Sequence, residues 1–400
     1  MENMFIVDVI AQWVFVVFFA YYGLTNLQWY NYSLKRVIFM HHKFMWHIYY
    51  CIVPLILYVG IFFVPSPVGN YMLIALSIVY ALMIVMWAIK LDKRLKFTLR
   101  VIRFVGIFFI FMFFNEVLCY VLGIASALLD LMSLVFAVIV SRIYESVLLN
   151  RYIALAEEKL DVMSSLVVIC ITGSYGKTSI KNFLAQILKE KYRVYATPRS
   201  VNTHTGIIAD INSNLDYTTE IYIAEAGARL RGDIAIISEF LNPHYAVIGE
   251  IGEQHLEYFK NLDNIVETKF ELLQSKRLKK AFIFKDNPMP NQLDANLHKK
   301  IIPFPENIRN IKADLEGISF ELYIKGEWHY FEAIVLGQFN IINLSAAIYM
   351  GIELGLRVEE IQKAIKRLDP VPHRLNKIEA NQKIIIDDSF NGNLKSIMAI

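Results

Sequence analysis

Apolar residues fall into two kinds of run along this chain. In the first third they persist for lengths near the roughly 20 residues that cross a bilayer, at about 4–23, 48–64, 70–89, 104–122 and 124–140. After residue 165 they shorten to strand length and alternate with stretches of helical period. The connections between the long runs alternate as well. Lys35, Arg36, His41, His42 and Lys43 occupy the first, and Pro65, Ser66 and Pro67 mark an uncharged second. Lys90, Lys93, Arg94, Lys96, Arg100 and Arg103 crowd the third, the fourth is a short uncharged link near Gly123, and Arg142 and Arg151 follow the last. Basic connections stay on the cytoplasmic side, so the pattern predicts five spans with the N-terminus outside and residues 141–400 in the cytoplasm. Glu2 and Asp8 replace the basic start of a signal peptide, and no small-residue cleavage site follows.

Composition agrees. The 400 residues are 56% hydrophobic and 19% charged, against about 25% charged in a soluble domain, which excludes a disordered chain, a coiled coil and a simple soluble enzyme. The net charge of +3 is unevenly placed: residues 1–140 hold nine Lys and Arg against five Asp and Glu, whereas residues 141–400 hold 31 against 32. The basic excess is therefore topological, and no nucleic-acid partner is expected. Cys51, Cys119 and Cys170 are scattered through apolar runs, with no disulfide framework or paired-cysteine metal motif. Glu116 and Asp130 lie in or beside spans four and five, where a carboxylate either serves function or faces a neighbouring helix. The His41–His42–Lys43 cluster either meets lipid headgroups or forms a solvated loop.

The chain divides by pattern into a membrane region 1–140, a helical linker 141–165, a central domain 166–372 and the start of a further domain at 373–400. Leu166–Ile171 reads as a buried parallel strand. It runs directly into Thr172-Gly173-Ser174-Tyr175-Gly176-Lys177-Thr178-Ser179, and a helical pattern through Ile180, Phe183, Leu184, Ile187 and Leu188 follows. Strand, glycine loop and helix start are the context of a phosphate-binding loop. Loop N–H groups and the helix N-terminus face an anion, Lys177 adds a point charge, and the Thr178 hydroxyl can ligate Mg²⁺; the bland alternative is a glycine turn. Further strands at 221–224, 245–249 and 281–284 imply a doubly wound parallel sheet, with ligands at the carboxyl ends of its strands. Glu225 and His255 fall just past two such ends and together with the loop suggest Mg²⁺ binding; alone, they read as a turn residue and a helix cap. Residues 317–336 alternate around Lys325-Gly326 as a β-hairpin attached to the sheet. Asn340 and Asn343 open a helix, as caps or as a purine-base contact. Asp369-Pro370-Val371-Pro372 ends the central domain, and a strand at 383–386 begins a last domain that Ile400 leaves incomplete.

Seven blocks in one order resemble the Mur ligase family: TGSYGKTSIK at 172–181, VNTHTG at 201–206, AEAGARLRGDI at 224–234, IGEQHLEYF at 251–259, ETKFELL at 267–273, GQFNIINLSAA at 337–347 and DDSFNGNLKSIMA at 387–399. The last block is similar to the branch that adds D-alanyl-D-alanine to a UDP-MurNAc-tripeptide. The resemblance implies an ATP-dependent carboxylate–amine ligase of peptidoglycan synthesis with ATP and Mg²⁺ as cofactors. It implies ATP contacts from Gly173, Ser174, Tyr175, Gly176, Lys177, Thr178 and Ser179, adenine-side contacts from Asn340 and Asn343, and ATP-side contacts from Arg374 and Asp388. Metal ligands would be Thr178, Glu225, His255 and, once carbamylated, Lys269, with Lys177, Lys269 and His255 the catalytic set. A solvated helix lysine is the alternative at Lys269. Asn202 and Thr203 fall on the substrate side. Departures from the family include five spans where its uridine-nucleotide domain is expected, Leu394 where proline is usual, and His373 before Arg374 where glycine is common in this branch. The spans make membrane lipid a partner and leave open a second ligase reading, on another carboxylate or a lipid-linked precursor. A transporter or signalling ATPase is a competing class, which calls for polar residues lining the spans and a switch region.

Overall fold

The computed structural model describes residues 2–39, 41–122, 127–254, 256–290, 292–380 and 383–390. The chain folds as two compact units, Met1–Leu148 and Leu149–Ile400.

Among the described residues of the first unit and its exit are five helices long and apolar enough to cross a membrane: Ile6–Trp29, Phe44–Ile61, Val68–Ile89, Leu99–Leu122 and Leu129–Val162. The first extends further than its apolar run predicts, and the fifth does not stop near residue 140. It belongs to one continuous helix, Ala127–Val162, that contains most of the expected linker. Large apolar side chains turn outward, among them Ile110, Phe113 and Val121 at 65–73% exposure. Inside, Phe15 stacks on Tyr58 with centroids 4.2 Å apart and also meets Tyr80 at 4.7 Å. An outward apolar belt of this extent suits hydrocarbon as its solvent. Two polar contacts cross the interior: the Trp13 indole donates to Glu116 at 2.9 Å, and Asn115 donates to Ser133 at 2.7 Å. Asp130 is fully buried among the helices.

The second unit is built on strands β1 (Val167–Thr172), β2 (Val194–Ala196), β3 (Ile221–Glu225), β4 (Tyr245–Ile248), β5 (Lys280–Phe284) and β6 (Ile301–Phe304). They form one sheet in the order β2-β3-β1-β4-β5-β6, and every neighbouring pair is parallel. Successive side chains of a strand point to opposite faces, and both faces are covered. Ile169, Ile171, Ile223 and Val247 pack with Phe183, Leu184 and Ile187 of helix Lys177–Leu188. Val168, Cys170, Ala224 and Ala246 pack with Ile207 and Ile211 of helix His204–Asn214 and with Ile234 and Ile237 of helix Asp233–Leu241. This two-sided burial explains why the strands read as unbroken apolar runs. β1 lies between β3 and β4, so the loop leaving it opens where the chain crosses from one side of the sheet to the other, the usual ligand crevice of such sheets.

The predicted hairpin is present as β8 (Gly317–Ile324) and β9 (Glu327–Ala333), following β7 (Ile308–Asp314). Lys325 and Gly326 both take positive φ, +49° and +95°, as a two-residue hairpin turn requires. It is not attached to the parallel sheet, however: β7, β8 and β9 form a separate three-stranded antiparallel sheet. Its apolar positions Phe320, Leu322 and Phe331 instead join the core on one face of the main sheet. The predicted strand near 383–386 is β11 (Lys383–Asp387), paired antiparallel with β10 (Asn376–Ala380).

Candidate active site

The sequence after β1 turns at Gly173-Ser174-Tyr175-Gly176 and enters helix Lys177–Leu188. Backbone bonds hold the loop to the end of β4: Ser174 N–H donates to the Glu250 carbonyl at 2.8 Å, and the Ser174 hydroxyl to the Gly252 carbonyl at 2.9 Å. Gly176 takes φ +73° at the helix N-cap, and a Cβ there would stand 2.1 Å from Asn343 Oδ1. A side chain is excluded both by conformation and by that close approach.

Lys177 folds back over the loop, donating to the Gly173 carbonyl at 2.7 Å and the Ser174 carbonyl at 3.0 Å. Burial pulls its pKa below the ordinary lysine value; Glu225 pushes the other way, and Arg374 adds to the lowering. The Thr178 hydroxyl donates to Glu225 Oε2 at 2.9 Å and accepts from Arg374 at 3.1 Å. Arg374 thus brings the segment after the proline pair onto the loop. Behind it, Asp388 Oδ1 accepts from Leu375 N–H at 3.3 Å, while Asp388 Oδ2 is buried with no hydrogen-bond partner among the described residues.

Glu225, at the end of β3, is 1% exposed. Asn202 donates to its Oε1 at 3.0 Å, so Asn202 meets the carboxylate directly. Thr203 stands elsewhere in the design: it is the N-cap of helix His204–Asn214 and accepts from Gly206 N–H at 3.3 Å. Asn340 and Asn343, by contrast, are not caps. Asn340 donates to the Leu336 carbonyl at 2.7 Å, Asn343 donates to Asn340 at 2.8 Å, and both are buried. The pair therefore seats Asn343 under Gly176. Ser179 is buried in the first helical turn. Lys269, near the end of helix Leu262–Phe270, is 3% exposed rather than solvated. Burial and the nearby charge of Lys177 pull it down to about 7, against Asp233, Glu271 and Glu225. His255 lies outside the described residues.

Sequence reasoning missed Lys181. Its side chain is 1% exposed and lies 3.3 Å from Glu225 Oε2; it also donates to the Arg199 carbonyl. Its place four residues after Lys177, on the same side of the helix, was the available signal. Removing one partner of a buried pair strands the other charge at a cost of about 3–5 kcal/mol. Lys181→Met should therefore lower the melting temperature sharply, and adding Glu225→Gln should restore most of it. Equal melting of wild type and Lys181→Met contradicts the pairing.

Thr178 and Glu225 converge as hard oxygen donors, the chemistry that suits Mg²⁺. Among the described residues no three His, Cys, Asp or Glu side chains cluster as a complete cation site, so a cation at Thr178 and Glu225 would draw its other ligands from elsewhere.

A glycine loop after β1, a buried glutamate on the neighbouring strand and a buried lysine 3.3 Å from that glutamate form the polar centre of this α/β domain. Residues 171–351 match the family described as Mur ligase middle domain. The chain is 30% identical over 237 residues to the UDP-N-acetylmuramoyl-tripeptide--D-alanyl-D-alanine ligase of Bacillus subtilis, covering 58% of this chain and 51% of that one. The structure is similar to MurF of Thermotoga maritima in complex with ADP, at TM-score 0.56 and 26% identity, covering 63% of this chain and 59% of that one. It is likewise similar to MurF of Acinetobacter baumannii, at TM-score 0.55 and 26% identity, with 62% and 56% covered. The chain spans about half the length of the curated relative it matches.

Proposed function

We propose that this protein is an ATP-dependent carboxylate–amine ligase of peptidoglycan-precursor synthesis that adds D-alanyl-D-alanine to a UDP-MurNAc-tripeptide. The observation that carries the reading is the loop after β1, where Thr178 joins Glu225 and Arg374 at one hydroxyl. N–H groups of Gly173–Ser179 and the helix N-terminus receive the ATP phosphates. Lys177 exchanges its loop carbonyls for phosphate oxygens. Asn340 and Asn343 lie on the adenine side, Arg374 and Asp388 close the site from the C-terminal segment, and Asn202 lies toward the acceptor. Thr178 and Glu225, with His255 and carbamylated Lys269, hold Mg²⁺. When bound, Mg²⁺ neutralises the phosphate charge. The chemistry needs no side-chain nucleophile. A carboxylate has only oxide to expel, so the γ-phosphoryl group is first transferred to it. The amine then attacks the acyl phosphate and phosphate leaves. Such transfer depends on positioning and charge compensation, which the buried polar cluster supplies.

The five apolar helices support placing the chain in the bacterial inner membrane with the ligase unit cytoplasmic. They also favour a second reading, in which the same chemistry acts on a lipid-linked or another membrane-presented carboxylate. The full chain in detergent or nanodiscs should release phosphate from ATP only when a muramoyl tripeptide and D-alanyl-D-alanine are both present, with the amide product identified by mass. Product from the lipid-linked but not the nucleotide-linked tripeptide selects the second reading. ATP turnover indifferent to carboxylate and amine overturns both.

A further inference from the structure

Within the first unit a shallow, open recess lies between the first, fourth and fifth apolar helices. Leu24, Leu27 and Phe104 line its apolar part, and Tyr32, Arg100 and Arg142 its polar part, with no acidic residue in the lining. The Arg100 guanidinium lies 3.6 Å from the Tyr32 ring centroid, which fixes its plane. Its charge is weakly answered: Glu145 stands 4.0 Å from Arg100 Nε but 2.6 Å from Arg103, so the carboxylate is committed to Arg103. Arg100 Nε is buried without a hydrogen-bond partner. Arg142 is exposed and has no ion pair among the described residues.

We propose that this recess binds a lipid bearing a terminal phosphate, with the phosphate between Arg100 and Arg142 and its chain against Leu24, Leu27 and Phe104. Two planar guanidinium groups match phosphate oxygens in fork geometry. A terminal phosphate carries nearly two negative charges, which two guanidinium groups can answer, whereas a phosphodiester headgroup carries one. The apolar side of the recess belongs to helices whose outer surfaces suit hydrocarbon, which makes the occupant a lipid rather than a free anion. The inference rests on the membrane reading of the five helices and is independent of the ligase acceptor.

The test places the full chain in phosphatidylcholine nanodiscs doped with phosphatidic acid or phosphatidylglycerol and measures lipid retained per chain by native mass spectrometry. Phosphatidic acid should be retained preferentially. Arg142→Gln should lower retention severalfold, and Arg100→Gln with Arg142→Gln by roughly tenfold or more, the scale of lost charge-assisted bonds. Lys93→Gln with Arg94→Gln, outside the recess, should leave it unchanged. Equal retention in the Arg142→Gln protein, equal loss in the control pair, or displacement by millimolar inorganic phosphate overturns the proposal. Extraction by alkaline carbonate is read separately: a chain that washes off fails the membrane reading, whereas an inserted chain without bound phosphatidic acid fails this proposal alone.

Discussion

Replacing Lys177 with alanine is expected to reduce ATP-dependent ligation by roughly 10³-fold, the scale seen when a positioned electrostatic donor is lost, while the folded unit persists. Lys177 Nζ spans two loop carbonyls, Gly173 at 2.7 Å and Ser174 at 3.0 Å. It is therefore already held where polyphosphate oxygens would arrive. Its lowered pKa comes from burial, so its charge acts in surroundings where it is poorly screened. Arginine should not substitute. The loop is closed from above by Arg374 on Thr178, and a planar fork does not reproduce a point charge on a flexible stem. The measurement pairs phosphate release and amide formation with thermal melting. Retained ligation in a folded Lys177→Ala protein removes the phosphate-loop assignment. Lost ligation with lost melting is resolved by Lys177→Arg, which keeps the stem and charge: wild-type ligation there removes the assignment equally.

How much of this site was readable beforehand depended on whether a residue's environment was local. β1, β3, β4 and β5 were visible because strands covered on both faces must be apolar throughout. The loop was visible because glycine, lysine and threonine at close spacing follow directly on such a strand. β2 was not, since its three half-buried residues Val194–Ala196 carry no run. The separate sheet β7-β8-β9 was misplaced for a different reason: alternation fixes a hairpin's faces but not which sheet it joins. Lys181 escaped notice because a lysine in a helix normally extends to water. What buries it is Glu225 on another strand, beyond the reach of local pattern. Asn340 and Asn343 stood at a helix start and suggested capping; their actual partners, Leu336 and each other, became clear only once Asn343 was seen against Gly176.

Lys269→Ala should lose ligation by roughly 10²-fold, as when a group that orders a metal shell is removed, and short carboxylates should restore part of it. The reason lies in the lysine's charge. Lys269 is almost fully buried, and burial, reinforced by Lys177, brings its pKa to about 7. Near neutrality about half of its amine is therefore uncharged and free to attack CO₂. The new bond joins Nζ to the carbon of CO₂ and one proton leaves. The site exchanges a cation beside Lys177 for a carbamate, an anion with oxygens that a divalent cation accepts. Ligation should consequently rise as pH passes through about 7 and fall in CO₂-free buffer. The sign of the stability change follows from the same shift. In the absence of CO₂, between pH 7 and the ordinary lysine value, the unfolded chain binds a proton at this position that the folded chain does not. Stability therefore increases with pH across that window, and Lys269→Met should flatten the increase. Full ligation in CO₂-free buffer, with no inflection near pH 7 and no effect of added carboxylate on Lys269→Ala, reduces Lys269 to a packing residue and leaves Thr178, Glu225 and His255 to hold the cation with substrate oxygens.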